Sequence, residues 1–216
     1  DKAAFMTAQK LGNAVNVSES TVVRFANEMG FAGYPEMQRS LQSLIKNRLT
    51  SLQRMEIASA RMGETGILNA VLTQDIDKIR RTLEETSEEA FNAAVDKITG
   101  AGKIYILGAM SSSALARFLD YYLKLMFDNV VFVEAVSTSG IYQQIIRISS
   151  NDTFIALSFP RYSLTTVKAA QYAKKQGANI VAITDSVKSP LSEYADQLLL
   201  ARSDMVSFAD SLVAPL

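Results

Sequence analysis

The sequence contains no cysteine, no histidine and no tryptophan, and only four prolines in 216 residues. Without cysteine the chain cannot form a disulfide, an iron–sulfur cluster or a thiolate metal site. Without histidine it lacks the commonest transition-metal ligand and the usual general base at neutral pH. Any reaction would have to use carboxylates, lysines or hydroxyl groups, and we predict no metal, no cofactor and no catalytic residue.

Long hydrophobic runs are also missing. The longest nearly uninterrupted apolar run, from Ile104 to Met110, is far shorter than the roughly 20 residues that cross a bilayer. No charged-then-apolar segment opens the chain in the manner of a signal peptide. We therefore expect a cytoplasmic protein that has no membrane partner.

The chain has no net charge, but its charges are unevenly distributed. Residues 1–54 contain seven lysines and arginines against four acidic residues, a net charge of +3 that the remainder of the chain balances. Such an excess is expected of a segment that meets an anionic polymer, and it also occurs on ordinary solvated helices. Charge alone leaves both interpretations open.

The spacing of apolar residues divides the chain into a helical part and a mixed part. Helical spacing runs from Phe5 to about Ser51, and two more helical patterns lie between Ile67 and Thr99. Short β-rich runs alternate with helical stretches after Gly100. These runs are Lys103–Leu107, Val130–Ala135, Thr153–Ser158, Asn179–Thr184 and Gln197–Ala201. Because continuously apolar strands belong in a parallel sheet covered on both faces, we predict an α/β fold, a three-layer α/β/α sandwich with five parallel strands, preceded by an all-helical domain.

The segment from Thr7 to Met29 predicts two helices joined by a tight turn, and Ser18 is placed to cap the second helix. The predicted buried stripe of that helix is Val22, Phe25 and Met29. The face turned away from this stripe carries Ser20, Thr21, Arg24 and Asn27. Hydroxyl groups can reach phosphates, arginine can fork onto guanine and asparagine can pair with adenine, so this face suits a DNA major groove. A well-capped surface helix without a ligand remains the alternative.

Two hydroxyl-rich loops follow predicted strands. The first reads GAMSSSALARF from Gly108, and the second reads SFPRYSLTTVKAA from Ser158. In an open parallel sheet, ligands lie beyond the carboxyl ends of the strands, where helix N-termini attract phosphate. A phosphate could therefore bind between the two loops, although hydroxyl groups at helix starts are also ordinary caps.

The run from Val17 to Gln38, VSESTVVRFANEMGFAGYPEMQ, closely resembles the helix-turn-helix of the RpiR family of sugar-phosphate-responsive transcription regulators. The resemblance includes the GF-x-GY elbow formed by Gly30, Phe31, Gly33 and Tyr34. It implies a DNA-binding set of Ser18, Ser20, Thr21, Arg24, Asn27 and Tyr34. For Tyr34 the expected contact is at the turn it shares with Gly33, and plain core packing is the alternative.

The stretch from Ile104 to Arg202 resembles the sugar isomerase (SIS) domain that follows the helix-turn-helix in RpiR regulators, which implies a flavodoxin-like sheet. Family members bind phosphosugars with a Gly-x-Gly-Ser-Ser loop and a Ser-x-Ser-Gly-x-Thr loop. The implied ligand-binding set here is Ser111, Ser112, Ser158, Arg161 and Ser163. The sequence departs from the pattern at Met110, which replaces a glycine, and at Pro160, Arg161 and Ser163, which replace Ser, Gly and Thr. We expect Arg161 to pair with a phosphate or carboxylate of the ligand, or to face a dimer partner.

The resemblance implies a transcription regulator whose affinity for double-stranded operator DNA changes when a phosphorylated sugar or amino sugar binds. We expect a helix-turn-helix domain at 1–54, a helical linker and dimerisation region at 55–99 and a SIS domain at 100–216, with the first and last incomplete. A homodimer or homotetramer is expected. One alternative is a SIS-fold sugar-phosphate isomerase, which the lack of histidine and the preceding DNA-binding segment oppose. Another is a ligand-free dimerisation module.

Overall fold

A computed structural model describes residues 2–46, 67–203 and 211–216. They form two compact units, the first containing residues 2–46 and the second containing the others, and each is described by itself. The boundary predicted between residues 54 and 55 lies outside the described residues. Residues 67–99 belong to the same unit as the sheet. None of the helices in the described ranges is long and apolar enough to cross a membrane.

The first unit is entirely helical, as predicted. A 3-10 turn at Lys2–Phe5 is followed by α1 (Ala8–Ala14), α2 (Glu19–Glu28) and α3 (Tyr34–Lys46). The buried core consists of Ala8, Val22, Ala26, Tyr34 and Met37. The turn between α1 and α2 is tight because Gly12 has no side chain: a Cβ there would lie 2.7 Å from the carbonyl oxygen of Val17.

The second unit begins with two helices and continues with alternating strands and helices. The helices are α4 (Ile67–Glu85), α5 (Glu88–Thr99), α6 (Ser112–Met126), α7 (Thr138–Ile145) and α8 (Leu164–Lys175). The strands are β1 (Ile104–Gly108), β2 (Val130–Phe132), β3 (Thr153–Leu157), β4 (Asn179–Thr184) and β5 (Gln197–Leu200). All neighbouring strands are parallel, in the order β2-β1-β3-β4-β5. The predicted five-stranded parallel sheet is confirmed.

Helices cover both faces of this sheet. Alternate residues of each central strand point to opposite faces, so Tyr105 and Leu107 pack with α7 and α8, whereas Ile104 and Ile106 pack with α5 and α6. Strands β1 and β3 are buried along their whole length. This explains why their sequences are continuously apolar rather than alternating, and it confirms the predicted three-layer arrangement.

Candidate functional site

The start of α2 is built around Ser18. Its hydroxyl oxygen accepts a hydrogen bond from the backbone N–H of Thr21 at 3.2 Å and lies 2.8 Å from the hydroxyl oxygens of both Ser20 and Thr21. The predicted cap is confirmed. The three hydroxyl groups form a single cluster at the positive end of the helix dipole, where anionic groups are attracted.

The buried side of α2 differs from the prediction. Val22 and Ala26 are buried, but Phe25 and Met29 are 53% and 60% exposed, so the predicted stripe is wrong at both positions. The residue four positions after Val22 faces the core, and it is an alanine because α2 packs closely against its neighbours there. Large apolar residues at helical spacing indicated the wrong edge of the same helix.

The predicted polar face of α2 is not affected by this correction. Ser20, Arg24 and Asn27 are exposed and follow one another at spacings of four and three residues, so they lie on one side of α2. Thr21 is half-buried at the edge of that side. This is a hydroxyl, a guanidinium and an amide on a short helix, the groups that read phosphates and base edges.

Tyr34 lies in the core of the first unit. Its side chain is 4% exposed, and its hydroxyl donates to the carbonyl oxygen of Met6 at 2.8 Å. Burial raises the pKa of this hydroxyl above its ordinary value. The ring therefore follows the packing alternative, and any contact of Tyr34 with DNA would use its backbone N–H, which begins α3.

In the second unit, the order of the strands fixes where the two serine loops lie. The chain leaves β1 to form β2 on one side and then crosses back to form β3 on the other. Gly108 at the end of β1 pairs with Leu157 at the end of β3. The loops that follow these two residues therefore emerge side by side at the switch point of the sheet, the general location of ligands in this topology.

The first loop turns sharply into α6. A Cβ on Gly108 would overlap the carbonyl oxygen of Ser112, so only glycine allows the strand and helix to approach this closely. Ser111 is exposed at the N-cap of α6, where its side chain makes no capping hydrogen bond, and Ser112 is 5% exposed. The hydroxyl of Ser113 donates to the carbonyl oxygen of Met110 at 2.7 Å, which stabilises the turn.

Hydrogen bonds to the serines of the second loop hold this loop in its conformation. The buried hydroxyl oxygen of Ser158 accepts a hydrogen bond from the N–H of Ser163 at 3.0 Å. The hydroxyl oxygen of Ser163 in turn accepts from the N–H of Thr166 at 3.2 Å, so Ser163 caps α8. Thr184 donates to the carbonyl oxygen of Ser158 at 2.7 Å and fixes the loop to the end of β4.

Two residues that replace family glycines keep a glycine-like backbone. Met110 has a φ of 56° and Arg161 has a φ of 75°, the left-handed region that non-glycine residues rarely adopt. Met110 is 73% exposed and Arg161 is half-buried. Both loops therefore retain their shape at an energetic cost, while a longer side chain stands at each position.

The helix starts next to these loops suit an anion. Neither α6 nor α8 has an acidic residue in its first turn, whereas α5 has Glu88 and Glu89. The positive ends of the α6 and α8 dipoles are therefore not neutralised by carboxylates of their own first turns. Free amides, hydroxyl groups and the guanidinium of Arg161 are the groups that bind a phosphate.

Tyr162 and Asp185 form a link that the sequence did not reveal. The hydroxyl of Tyr162 donates to Asp185 Oδ1 at 2.9 Å, joining the second loop to the residue that follows β4. Burial, together with the negative charge of Asp185, raises the pKa of Tyr162 far above its ordinary value. The only signal in the sequence was an acidic residue directly after a predicted strand.

A pocket of about 130 Å³ lies elsewhere, along the edge strand β5. Its lining includes Leu198, Leu199 and Leu200, together with Glu85 at the end of α4 and Ser87 at the start of α5. Apolar walls and a carboxylate do not suit a phosphate. The geometry that suits an anion lies at the β1 and β3 ends instead.

Comparison with known proteins gives a family model for each of the two units. Residues 1–48 match the model of the helix-turn-helix domain of the rpiR family, and residues 97–216 match that of the SIS domain. An uncharacterised HTH-type transcriptional regulator of Haemophilus influenzae is 29% identical over 194 residues, which cover 88% of this chain. The chain spans 66% of that relative's length.

Two solved structures have a similar fold. The sugar isomerase domain of an RpiR transcription factor from Sphaerobacter thermophilus is 32% identical with a TM-score of 0.64, covering 69% of this chain and 83% of that one. Vibrio vulnificus NanR, solved with ManNAc-6P, has a TM-score of 0.60 over 99% of this chain and 75% of that one. At 22% identity, this second likeness shows the fold alone. Together with the two family models, these matches show that the chain belongs to the RpiR family of helix-turn-helix transcription regulators with a SIS domain.

Proposed function

We propose that this regulator binds operator DNA through α2 and that a sugar phosphate or amino-sugar phosphate, bound at the ends of β1 and β3, changes its affinity for DNA. One observation carries the proposal: the sheet order brings two hydroxyl-rich loops together, each opening a helix with no acidic residue in its first turn. The bound ManNAc-6P of the similarly folded NanR supports this class of ligand.

Five side chains make up the proposed ligand site: Ser111, Ser112, Ser158, Arg161 and Ser163. Ser111 and Ser163 stand at the starts of α6 and α8, where the helix amides also point. Ser158 holds the second loop closed through the N–H of Ser163, so its contribution is to shape the site. Arg161 supplies the positive charge, for a phosphate or for a carboxylate of the ligand.

The proposed DNA contacts are those of the exposed side of α2. Arg24 and Asn27 would read base edges, and the hydroxyl cluster of Ser18, Ser20 and Thr21 would approach a backbone phosphate. Tyr34 would contribute its backbone N–H. A helix-turn-helix normally reads two half-sites through a two-fold assembly, so a homodimer or homotetramer is part of the proposal.

We propose a regulator without catalytic activity, because the ligand site lacks a proton carrier suited to neutral pH. The chain has no histidine, and the raised pKa of Tyr162 keeps its hydroxyl protonated there. The rival is an isomerase on the same fold, which could use a glutamate as base. Incubation with each candidate sugar phosphate followed by NMR distinguishes the two, because interconversion of aldose and ketose would overturn the regulatory proposal.

The test of the proposed function is a thermal-shift panel of sugar phosphates, amino-sugar phosphates and their unphosphorylated parents. A ligand at about 100 times its Kd adds roughly 2.7 kcal/mol to the free energy of unfolding, and we expect this only from a phosphorylated compound. DNA selected from a random pool should then bind more strongly or more weakly with that ligand, and DNA should change ligand affinity by the same factor. A silent panel would favour the ligand-free dimerisation module.

A further inference from the structure

The second loop of the proposed ligand site is held by the end of the neighbouring strand β4. The fully buried hydroxyl of Thr184 donates to the carbonyl oxygen of Ser158 at 2.7 Å. The next residue, Asp185, accepts a hydrogen bond from the hydroxyl of Tyr162 at 2.9 Å. Two adjacent residues at the end of β4 therefore fix both the start and the middle of this loop.

Arg202 lies just beyond the end of β5, beside these residues. The backbone N–H of Ala201 donates to the carbonyl oxygen of Thr184 at 2.8 Å, which joins the ends of β5 and β4. Neighbouring strands are about 4.8 Å apart, so Arg202 and Asp185 follow adjacent strand ends. Burial and Asp185 raise the pKa of Tyr162, whereas the positive charge of Arg202 acts to lower it. This charge therefore lies within electrostatic range of the second loop.

The same arginine also holds the end of α4. Its Nε donates to Glu85 Oε2 at 2.7 Å, its Nη2 donates to Glu85 Oε1, and its backbone N–H donates to the hydroxyl of Thr82 at 2.9 Å. The side chains of Arg202 and Glu85 are only 29% and 35% exposed, which limits screening of the pair by solvent. The last turn of α4 has no basic residue, although the C-terminal end of a helix dipole favours a positive charge. Arg202 supplies a positive charge at this end.

A phosphate in the second loop would act on this ion pair. A phosphomonoester carries a charge of about −1.5 to −2 at pH 7. Bound at Arg161 and Ser163, it would flank Tyr162 and attract the guanidinium of Arg202. The contact with Glu85 would then weaken, because one planar fork cannot align with two anions at once.

We propose that Arg202 is a positioning residue that couples the second loop to α4, because the phosphate of the ligand draws its guanidinium away from Glu85. Helix α4 is the first described helix after the helix-turn-helix unit along the chain, so its end is a place where ligand binding can affect the segment that leads to that unit. The inference rests on the proposed function, since it assigns a residue to regulation by the proposed ligand.

The two partners of this ion pair should affect ligand affinity in opposite directions. Glu85→Gln removes the anion that competes with the phosphate for Arg202, so the Kd of the ligand should fall about threefold or more. Arg202→Gln removes the attracting charge, so Kd should rise about threefold or more. A pair with a purely structural role would give the same direction in both variants, because each variant loses the same contact.

Glu84→Gln is the matched control for Glu85→Gln. It removes the same charge from the same helix end at an exposed neighbouring residue, and Kd should stay within about twofold of wild type. Arg202→Lys is the conservative variant: it keeps the positive charge without the planar fork, so its Kd should lie closer to wild type than that of Arg202→Gln.

Calorimetric titration of the full chain measures these affinities. The titrants are inorganic phosphate and each sugar phosphate that raises Tm in the thermal-shift panel, and we expect the same order of affinities for every titrant that binds. Circular dichroism and urea unfolding check that each variant is folded. In the presence of the selected DNA, the factor by which the sugar phosphate changes DNA affinity should move towards one in Arg202→Gln and Glu85→Gln and stay at its wild-type value in Glu84→Gln.

Three outcomes would overturn the inference while the wild type still binds the sugar phosphate, and the proposed function would then stand. They are Kd changes of the same direction in Glu85→Gln and Arg202→Gln, no change in either, or an equal change in Glu84→Gln and Glu85→Gln. A wild-type chain that binds none of the phosphorylated compounds would instead overturn the proposed function, and the inference with it.

Discussion

Ser158 and Ser163 are joined by a hydrogen bond in which the backbone N–H of Ser163 donates to the buried hydroxyl oxygen of Ser158 at 3.0 Å. The same Ser163 accepts from the N–H of Thr166 and so caps α8. One loop thus contains Ser158, which shapes it, and Ser163, which starts the following helix. A substitution at Ser163 that keeps the helix cap can separate capping from ligand binding.

Ser163→Asp should weaken ligand binding while leaving the protein folded. Aspartate caps a helix about as well as serine, and its charge favours the helix N-terminus, so the free energy of unfolding should change by less than about 0.5 kcal/mol. A carboxylate there would repel the ligand's phosphate, and Kd should rise at least about tenfold, or about 1.4 kcal/mol. Calorimetric titration of the effective ligand measures Kd, and urea unfolding measures the free energy of unfolding.

The control for this change is Ser87→Asp, the same substitution at the capped start of α5. That helix follows neither β1 nor β3 and should not meet the ligand, so Kd should stay within about twofold of wild type. Equal affinity of Ser163→Asp and wild type would contradict the placement of the phosphate at the second loop.

Met110→Gly should stabilise the chain. A left-handed conformation costs a non-glycine residue about 1–2 kcal/mol, whereas glycine loses about 0.5–1 kcal/mol through its more flexible unfolded state. The exposed side chain of Met110 gives up little burial, so we expect a net gain of up to about 1 kcal/mol in urea unfolding.

Ala109→Gly is the matched control for the same loop, because Ala109 does not have a positive φ. It should lower the free energy of unfolding by about 0.5–1 kcal/mol. If both variants were destabilised equally, the φ of 56° at Met110 would not carry the strain assigned to it.

The sequence predicted well those features that depend on local chemistry. Strand β4 has the predicted bounds, and Ser18 caps α2 as predicted, because an apolar run and a hydroxyl before a helix act through their immediate neighbours. The stripe of α2 was predicted wrongly at Phe25. Helical spacing defines a side of a helix only to within a residue, and close packing selected the small Ala26.

Features that depend on the order of the strands in the sheet could not be predicted from the sequence. Tyr162 and Asp185 are 23 residues apart and meet because β3 and β4 are neighbours in the sheet. No periodicity encodes that adjacency. The contacts of α4 with Arg202 and Ser211 were missed for a similar reason, since both residues lie far along the chain.

Tyr162→Phe should destabilise the second unit in a pH-dependent way. The variant loses a hydrogen bond to a carboxylate, which costs about 1–2 kcal/mol in a partly buried position at neutral pH. Because the pKa of Tyr162 is raised in the folded state, its stabilising effect is complete below about pH 10, the pKa of an unfolded tyrosine, and is lost as the pH rises further. The difference between wild type and variant should therefore shrink above pH 10.

Urea unfolding at pH 8, 9, 10 and 11 measures this difference. Burial also raises the pKa of Tyr34 and Tyr105, but both are present in wild type and variant, so their contributions cancel. A difference that stayed constant from pH 8 to 11 would show that the Asp185 contact does not hold the Tyr162 proton.

Tyr34→Phe should weaken the first unit without a direct effect on DNA contacts. The variant loses the hydrogen bond to the carbonyl oxygen of Met6, at a cost of about 1 kcal/mol, because Gln38 Nε2 still donates to that oxygen at 2.6 Å and keeps it paired. At a temperature where both proteins are folded, the affinity for a selected duplex should stay within about threefold of wild type. A much larger loss with an intact fold would assign the hydroxyl to DNA.

Arg24→Ala, in contrast, should reduce DNA affinity directly. A guanidinium forked onto guanine contributes about 1–3 kcal/mol of discrimination, so binding to the selected duplex should fall about 10- to 100-fold while binding to unrelated DNA falls far less. Fluorescence anisotropy at several salt concentrations measures both. Lys10→Ala removes an exposed cation from α1, outside the proposed reading face, and serves as the control. If Arg24→Ala weakened all sequences equally and lowered the salt dependence by about one ion, Arg24 would contact a phosphate instead of a base.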